Sequence, residues 1–178
     1  MLKVVVFCKN FKISLLYLVT DIAAMKQVSK NILTAIYQFI KSLNNPDNRP
    51  IDWNTRPAPG KWSKKEIMGH LCDSAMINLQ RFIRCTYEEN FKLVYEQDDW
   101  VKAQHYQEMT QDEVLQLWKI LNLQIIHVLD NYPADRMQAK CDSGKYEVKM
   151  HTVEWLANDY LEHLQHHLNQ IKVHEPVN

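Results

Sequence analysis

Glycine is scarce in this chain, with three residues in 178, and proline contributes only six. That composition excludes a collagen-like or low-complexity polymer, and no internal repeat breaks the sequence into arrays. The four cysteines, Cys8, Cys72, Cys85 and Cys141, form no C-x-x-C pair. Such spacing fits reduced thiols in a cytoplasm better than a disulfide framework or a zinc knuckle. Neither sign of charge predominates: Lys plus Arg and Asp plus Glu both number 21. Without a basic field, a nucleic-acid partner is disfavoured. An uninterrupted apolar run of the roughly 20 residues needed to cross a bilayer is also missing, so no membrane partner is expected. What remains is the profile of one cytoplasmic domain large enough for a real core.

What the sequence does have is helical period. The plainest case is near the end. Stepping by about 100° per residue from Val153, Val153, Leu156, Ala157, Tyr160, Leu161, Leu164, Leu168 and Ile171 fall on one apolar arc. Glu154, Asn158, Glu162, Gln165 and Asn169 oppose it. His167 sits inside the arc, His163 at its margin, and His166 points away toward Trp155 and Asp159. Imidazoles four residues apart stack on one helix face and can reach one ion. Half-buried histidines with ordinary hydrogen-bond partners are the competing reading of the same spacing.

Upstream, Val28, Ile32, Ala35, Ile36, Phe39, Ile40 and Leu43 make a stripe that starts from Met25 and stops at Asn44-Asn45-Pro46. Residues 1–24 are expected to be an extension to this domain, disordered or preceding the native start at Met25. Their basic beginning and short apolar run also match a secretory signal, but the rest of the chain reads as cytoplasmic. An extended, proline-rich connection follows. Ser63-Lys64-Lys65-Glu66 is then a capping box that opens a second helix. Its core stripe is Ile67, Met68, Leu71, Ala75, Leu79 and Phe82. Beside that runs a polar row of His70, Ser74, Asn78 and Arg81, with Asp73 slightly further round. A third histidine from a second helix is what a zinc-like site with an open position requires; taken alone, His70 reads as a core-edge residue.

Residues 86–109, charged and aromatic without sustained period, predict a long connection with short helical turns, whose Gln97-Asp98-Asp99-Trp100 would line a pocket mouth or pack over the bundle end. A second capping box, Thr110 to Glu113, opens the third long helix, with Val114, Trp118, Leu121, Ile125 and Val128 on its buried face. His127 lies off that stripe and is expected to be exposed. Weak alternation over Met137–Lys149 predicts a loose hairpin or extended loop.

Four amphipathic helices with long connections predict an all-α four-helix bundle over residues 25–175. Two stretches carry a family resemblance. Pro59-Gly60-Lys61-Trp62-Ser63-x-x-Glu66-x-x-Gly69-His70-Leu71-x-Asp73-Ser74 resembles the start of the second helix in the DinB/YfiT-like superfamily. His163-x-x-x-His167-x-x-Gln170-Ile171 resembles that family's closing ligand pair. The resemblance implies His70, His163 and His167 as ligands of a divalent metal, commonly nickel or zinc, and a homodimer.

Characterised relatives resemble transferases of low-molecular-weight thiols or thiol-dependent isomerases; others are described as metal-dependent hydrolases. Thiol transfer to an electrophilic small molecule is therefore the first functional expectation. Ser74, Asn78 and Arg81 would grip the thiol's polar body, and Asp73 and Asp159 would orient imidazoles. A metal-dependent hydrolase is the second expectation, although no convincing general base stands out. A bundle that binds metal or ligand without catalysis is the third.

Overall fold

The computed structural model describes residues 2–172, with side chains from residue 22 onward. Four long helices carry the fold: α1 (Leu2–Leu43), α2 (Lys64–Cys85), α4 (Gln111–Asp130) and α5 (Val153–Lys172). A short helix, α3 (Gln97–Ala103), interrupts the connection between α2 and α4. Both expected capping boxes are formed. Ser63 Oγ accepts from Glu66 N at 3.1 Å while Glu66 Oε2 accepts from Ser63 N at 2.8 Å, and Thr110 and Glu113 repeat the exchange. Each box satisfies backbone donors that a helix start otherwise leaves free.

α1 and α2 each pack against both α4 and α5. The order around the bundle is therefore α1, α4, α2, α5, with α1 diagonal to α2 and α4 diagonal to α5. Diagonal partners cannot be joined by tight turns, which accounts for the long links 44–63 and 131–152. The latter and the α2–α4 connection are tied together by a small sheet of β1 (Phe91–Lys92), β2 (Lys140–Asp142) and β3 (Met150–Thr152). β1 pairs parallel to β2 with Phe91 beside Cys141, and β2 pairs antiparallel to β3 with Cys141 beside His151. Of this pair, β2 lies within the 137–149 stretch where a loose hairpin or extended loop is expected, and β3 follows directly after it.

The core follows the stripes, with one change of register. On α5 the buried residues are the eight of the apolar arc. On α1, Val28, Ile32, Ile36 and Phe39 are buried, and Met25 joins them. α1 itself begins upstream of Met25, at Leu2, and the side chains of residues 1–21, where most of the expected extension falls, lie outside the described ones. On α4, Val114, Trp118 and Ile125 are buried as expected, but Asn122 and Leu129 take the places given to Leu121 and Val128, which are half-buried. Asn122 is tolerated there because it accepts from Tyr160 Oη at 2.6 Å and donates to Trp118 O at 2.8 Å. α2 is the most enclosed helix: its polar row, His70, Asp73, Ser74, Asn78 and Arg81, is buried along with its apolar one. Among the described residues no helix is long and apolar enough to cross a membrane.

Candidate metal centre

His70 on α2 faces His163 and His167 on α5, and the three imidazoles converge. Ring centroids lie 5.0 Å apart for His70 with each of the others and 4.5 Å apart for His163 with His167. One nitrogen from each ring falls within 4.8 Å of the other two. His70 Nε2 and His163 Nε2 are 3.1 Å apart. Two nitrogens bound to one ion at about 2.1 Å, at angles from octahedral to tetrahedral, sit roughly 3.0–3.4 Å apart. That pair is already at ligand spacing.

Each α5 ring meets a polar partner on its far side. Gln170 Oε1 lies 2.9 Å from His167 Nδ1. An amide oxygen only accepts, so the proton is on Nδ1 and the Nε2 lone pair is left for a ligand. His163 Nδ1 is 3.4 Å from Ser74 Oγ, a hydroxyl that can accept the same proton or donate its own. His70 Nδ1 is buried without a hydrogen-bond partner among the described residues. Burial, reinforced by the neighbouring rings, pushes the His70 imidazole down to about 3 and His163 to about 4. His167 is lowered by the same desolvation, with the Gln170 bond opposing it. Near neutral pH all three rings are therefore uncharged, the form that coordinates a cation. The donor set fits a divalent metal.

His166 is exposed, with its ring 4.9 Å from that of His167, and stays outside the group; His127 is exposed on α4. The remaining expected site residues are placed differently from one another. Ser74 is beside His163, and Asn78 Nδ2 donates to Ser74 O at 2.9 Å. Arg81, expected to grip a ligand, is buried and spends its guanidinium on the fold. Its Nη2 and Nε donate to Leu93 O at 2.7 and 3.2 Å, and its Nη1 to Asn78 Oδ1 at 3.2 Å. Among the described residues Asp73 bonds to no imidazole; its Oδ1 accepts from Tyr106 Oη at 2.7 Å and Gln104 Nε2 at 3.2 Å. Burial raises its carboxyl to about 6. Asp159 is exposed on α5, within electrostatic reach of His151 and Arg81.

Residues 46–171 match the DinB superfamily. The chain belongs to that superfamily. In fold it is similar to YfiT from Bacillus subtilis, described as a probable metal-dependent hydrolase with an unusual four-helix bundle topology. The two share 18% identity with a TM-score of 0.64, over 86% of this chain and 83% of YfiT. Among curated proteins no sequence matches.

Three aromatic residues surround this DinB-type site, and of them only Trp100 has a place expected from the sequence, at a pocket mouth or over the bundle end. Trp62 packs its ring 4.9 Å from His70, Tyr95 stacks parallel to His70 at 6.4 Å, and Trp100 meets Tyr95 edge-on at 5.3 Å. Trp62 also walls a neighbouring cleft of about 430 Å³ shared with Lys61, Asp98, Val101, Lys102 and Tyr106. The expected pocket-mouth segment thus divides its work, Asp98 lining the cleft and Trp100 bracing Tyr95. Tyr95 and Trp100 come from a stretch without period, where no sequence signal distinguishes site from filler.

Proposed function

We propose that His70, His163 and His167 hold a divalent metal, nickel or zinc, and that the site transfers a low-molecular-weight thiol to an electrophilic small molecule. The observation that carries the metal is the meeting of three uncharged imidazoles from two helices, all within 4.8 Å of one another. A bound cation supplies Lewis acidity that ionises a coordinated water or thiol near neutral pH.

The surroundings favour a thiol over water as the nucleophile. Among the described residues no carboxylate joins the three-histidine group, and Asp73, the nearest in sequence to His70, is tied to Tyr106 and Gln104. Hydrolysis asks for a base that takes a proton from water during attack. A thiol, with its ordinary pKa near 8.5, needs far less help. In the transfer, sulfur bonds to the electrophilic carbon, the leaving group departs with its electron pair, and the thiol proton passes to solvent. His163 and His167 are half-exposed, so reactants and proton have a path to water. Trp62, Tyr95 and Trp100 offer an apolar wall for the substrate body.

Metal analysis of protein purified without chelator or immobilised metal, followed by assays of 2-mercaptoethanol with 1-chloro-2,4-dinitrobenzene, tests both parts. The expected result is about one metal per chain and consumption of thiol that stops when the metal is removed. Hydrolysis is the second reading, supported by the likeness to YfiT. Turnover of nitrophenyl esters without any thiol would select it, and metal without either reaction would leave a binding protein.

A further inference from the structure

A ligand imidazole has to be held so that its donor nitrogen faces the ion, and the usual hold is a partner at the other ring nitrogen. Both α5 rings have one: Gln170 Oε1 is 2.9 Å from His167 Nδ1, and Ser74 Oγ is 3.4 Å from His163 Nδ1. His70 has none among the described residues, although its Nδ1 is buried. Its Nε2 nevertheless stands 3.1 Å from His163 Nε2, at ligand spacing. What bounds this ring is aromatic. Beside the two other ligand rings it meets Trp62, with centroids 4.9 Å apart and planes tilted by 38°, and then Tyr95 at 6.4 Å. Trp62 is well inside the range of about 4.5–7 Å at which aromatic pairs attract. It is itself anchored by the start of α2. It directly precedes Ser63, whose N–H donates to Glu66 Oε2 at 2.8 Å, and the Lys65 N–H donates to Trp53 O at 3.0 Å. The cap that begins the helix thus also brings an indole against the ring of His70.

We propose that Trp62 is a positioning residue of the metal centre: its indole, in place of a hydrogen bond at Nδ1, sets the plane of the His70 ring so that Nε2 meets the ion. The inference rests on the metal-site reading and adds to it a residue that is not itself a ligand. A hydrogen bond at Nδ1 fixes both a ring and its proton, whereas a packed wall fixes the ring alone. His70 is then the ligand held by shape, and its aim depends on the flat surface beside it. Trp62 is half-buried, packed on the edge of the core and along the wall of the cleft of about 430 Å³. Exchanging it for another apolar residue therefore changes the neighbour of His70 and leaves the fully buried core intact.

Trp62→Phe keeps a flat ring beside His70, and Trp62→Leu keeps apolar bulk without one. Wild type and both variants are titrated with cobalt(II), following the visible spectrum for affinity and, at saturation, for the geometry of the bound ion. Trp62→Leu is expected to bind cobalt about tenfold or more weakly, the usual loss when the outer support of a ligand is removed, and to show a changed spectrum at saturation. Trp62→Phe is expected to restore both toward wild type. A merely structural role would weaken binding through the fold and leave the spectrum of the saturated site as it was. That result, wild-type affinity in Trp62→Leu, or equal losses in Leu and Phe would overturn the assignment of Trp62. So would either variant being unfolded by circular dichroism, since the indole would then serve the fold. Wild-type protein that takes up no cobalt would instead remove the metal-site reading, and this inference with it.

Discussion

At the scale of single residues, the site depends on which histidine faces inward. His163 and His167 are one turn apart on the inner side of α5, whereas His166, next in sequence to His167, is exposed. His70→Ala or His163→Ala is expected to abolish metal binding, and His166→Ala to leave it nearly intact, as measured by metal content after dialysis. The same three rings give the metal-free protein a pH signature. Below pH 6.5, the ordinary value of a histidine, the unfolded chain takes up protons that the folded site refuses, since His70 titrates only at about 3 and His163 at about 4. Stability is therefore full above about pH 6.5 and falls as the pH drops toward 3–4. At about 1.4 kcal/mol per pH unit, His70 accounts for a loss on the order of 5 kcal/mol by pH 3. Chemical denaturation with chelator present, at pH 7 and pH 5, measures the slope, and His70→Ala should flatten it. The placement of these rings was legible because a 100° step assigns each α5 residue a direction. The partners of Asp73 were not, because Gln104 and Tyr106 come from an aperiodic connection more than thirty positions away.

Among the elements, α2 shows how one small residue can decide a contact. A β-carbon on Gly69 would lie 2.1–2.5 Å from the ring of Tyr106, far inside van der Waals contact. The missing side chain lets the α2–α4 connection lie flat on the helix and brings Tyr106 Oη to Asp73. Alanine gains helix propensity of about 1 kcal/mol here, but overpacking and a stranded buried carboxyl act against it. Gly69→Ala is expected to destabilise by about 2–5 kcal/mol, read as a lower denaturation midpoint. A Gly69→Ala, Tyr106→Ala double variant should lose less than the sum of the two single changes. Sequence period marks where such a helix lies and which face is apolar, and for α2 and α5 it does so well; on α1 it finds the buried stripe from Val28 to Phe39 and not the start at Leu2. On α4 it puts Leu121 and Val128 where Asn122 and Leu129 are buried, because a polar Asn122 gains its place from Tyr160 on α5, a partner no local pattern displays. β1, two residues long, is invisible for the same reason: it exists only through pairing with β2, fifty residues on.

The whole molecule joins these parts through its ring order. α2 and α5 are neighbours in the bundle but are separated in sequence by α4 and two long connections, and the three imidazoles are placed where those helices meet. A cation there would bridge elements that come together only in the folded chain, so it binds the native state and not the unfolded one. Its contribution to stability then follows from mass action: about 2.7 kcal/mol at a free concentration one hundred times Kd. For a chain of this size each kcal/mol moves Tm by about 2–4 °C, so nickel or zinc at that concentration should raise Tm by roughly 5–10 °C. A chelator should reverse the rise. His70→Ala should remove it while leaving both α5 histidines in place, because two ligands on one helix bridge nothing. Scanning calorimetry of the two proteins, with and without metal, separates an ion that joins α2 to α5 from one that merely adheres to an exposed pair of histidines, since the latter would stabilise wild type and His70→Ala alike.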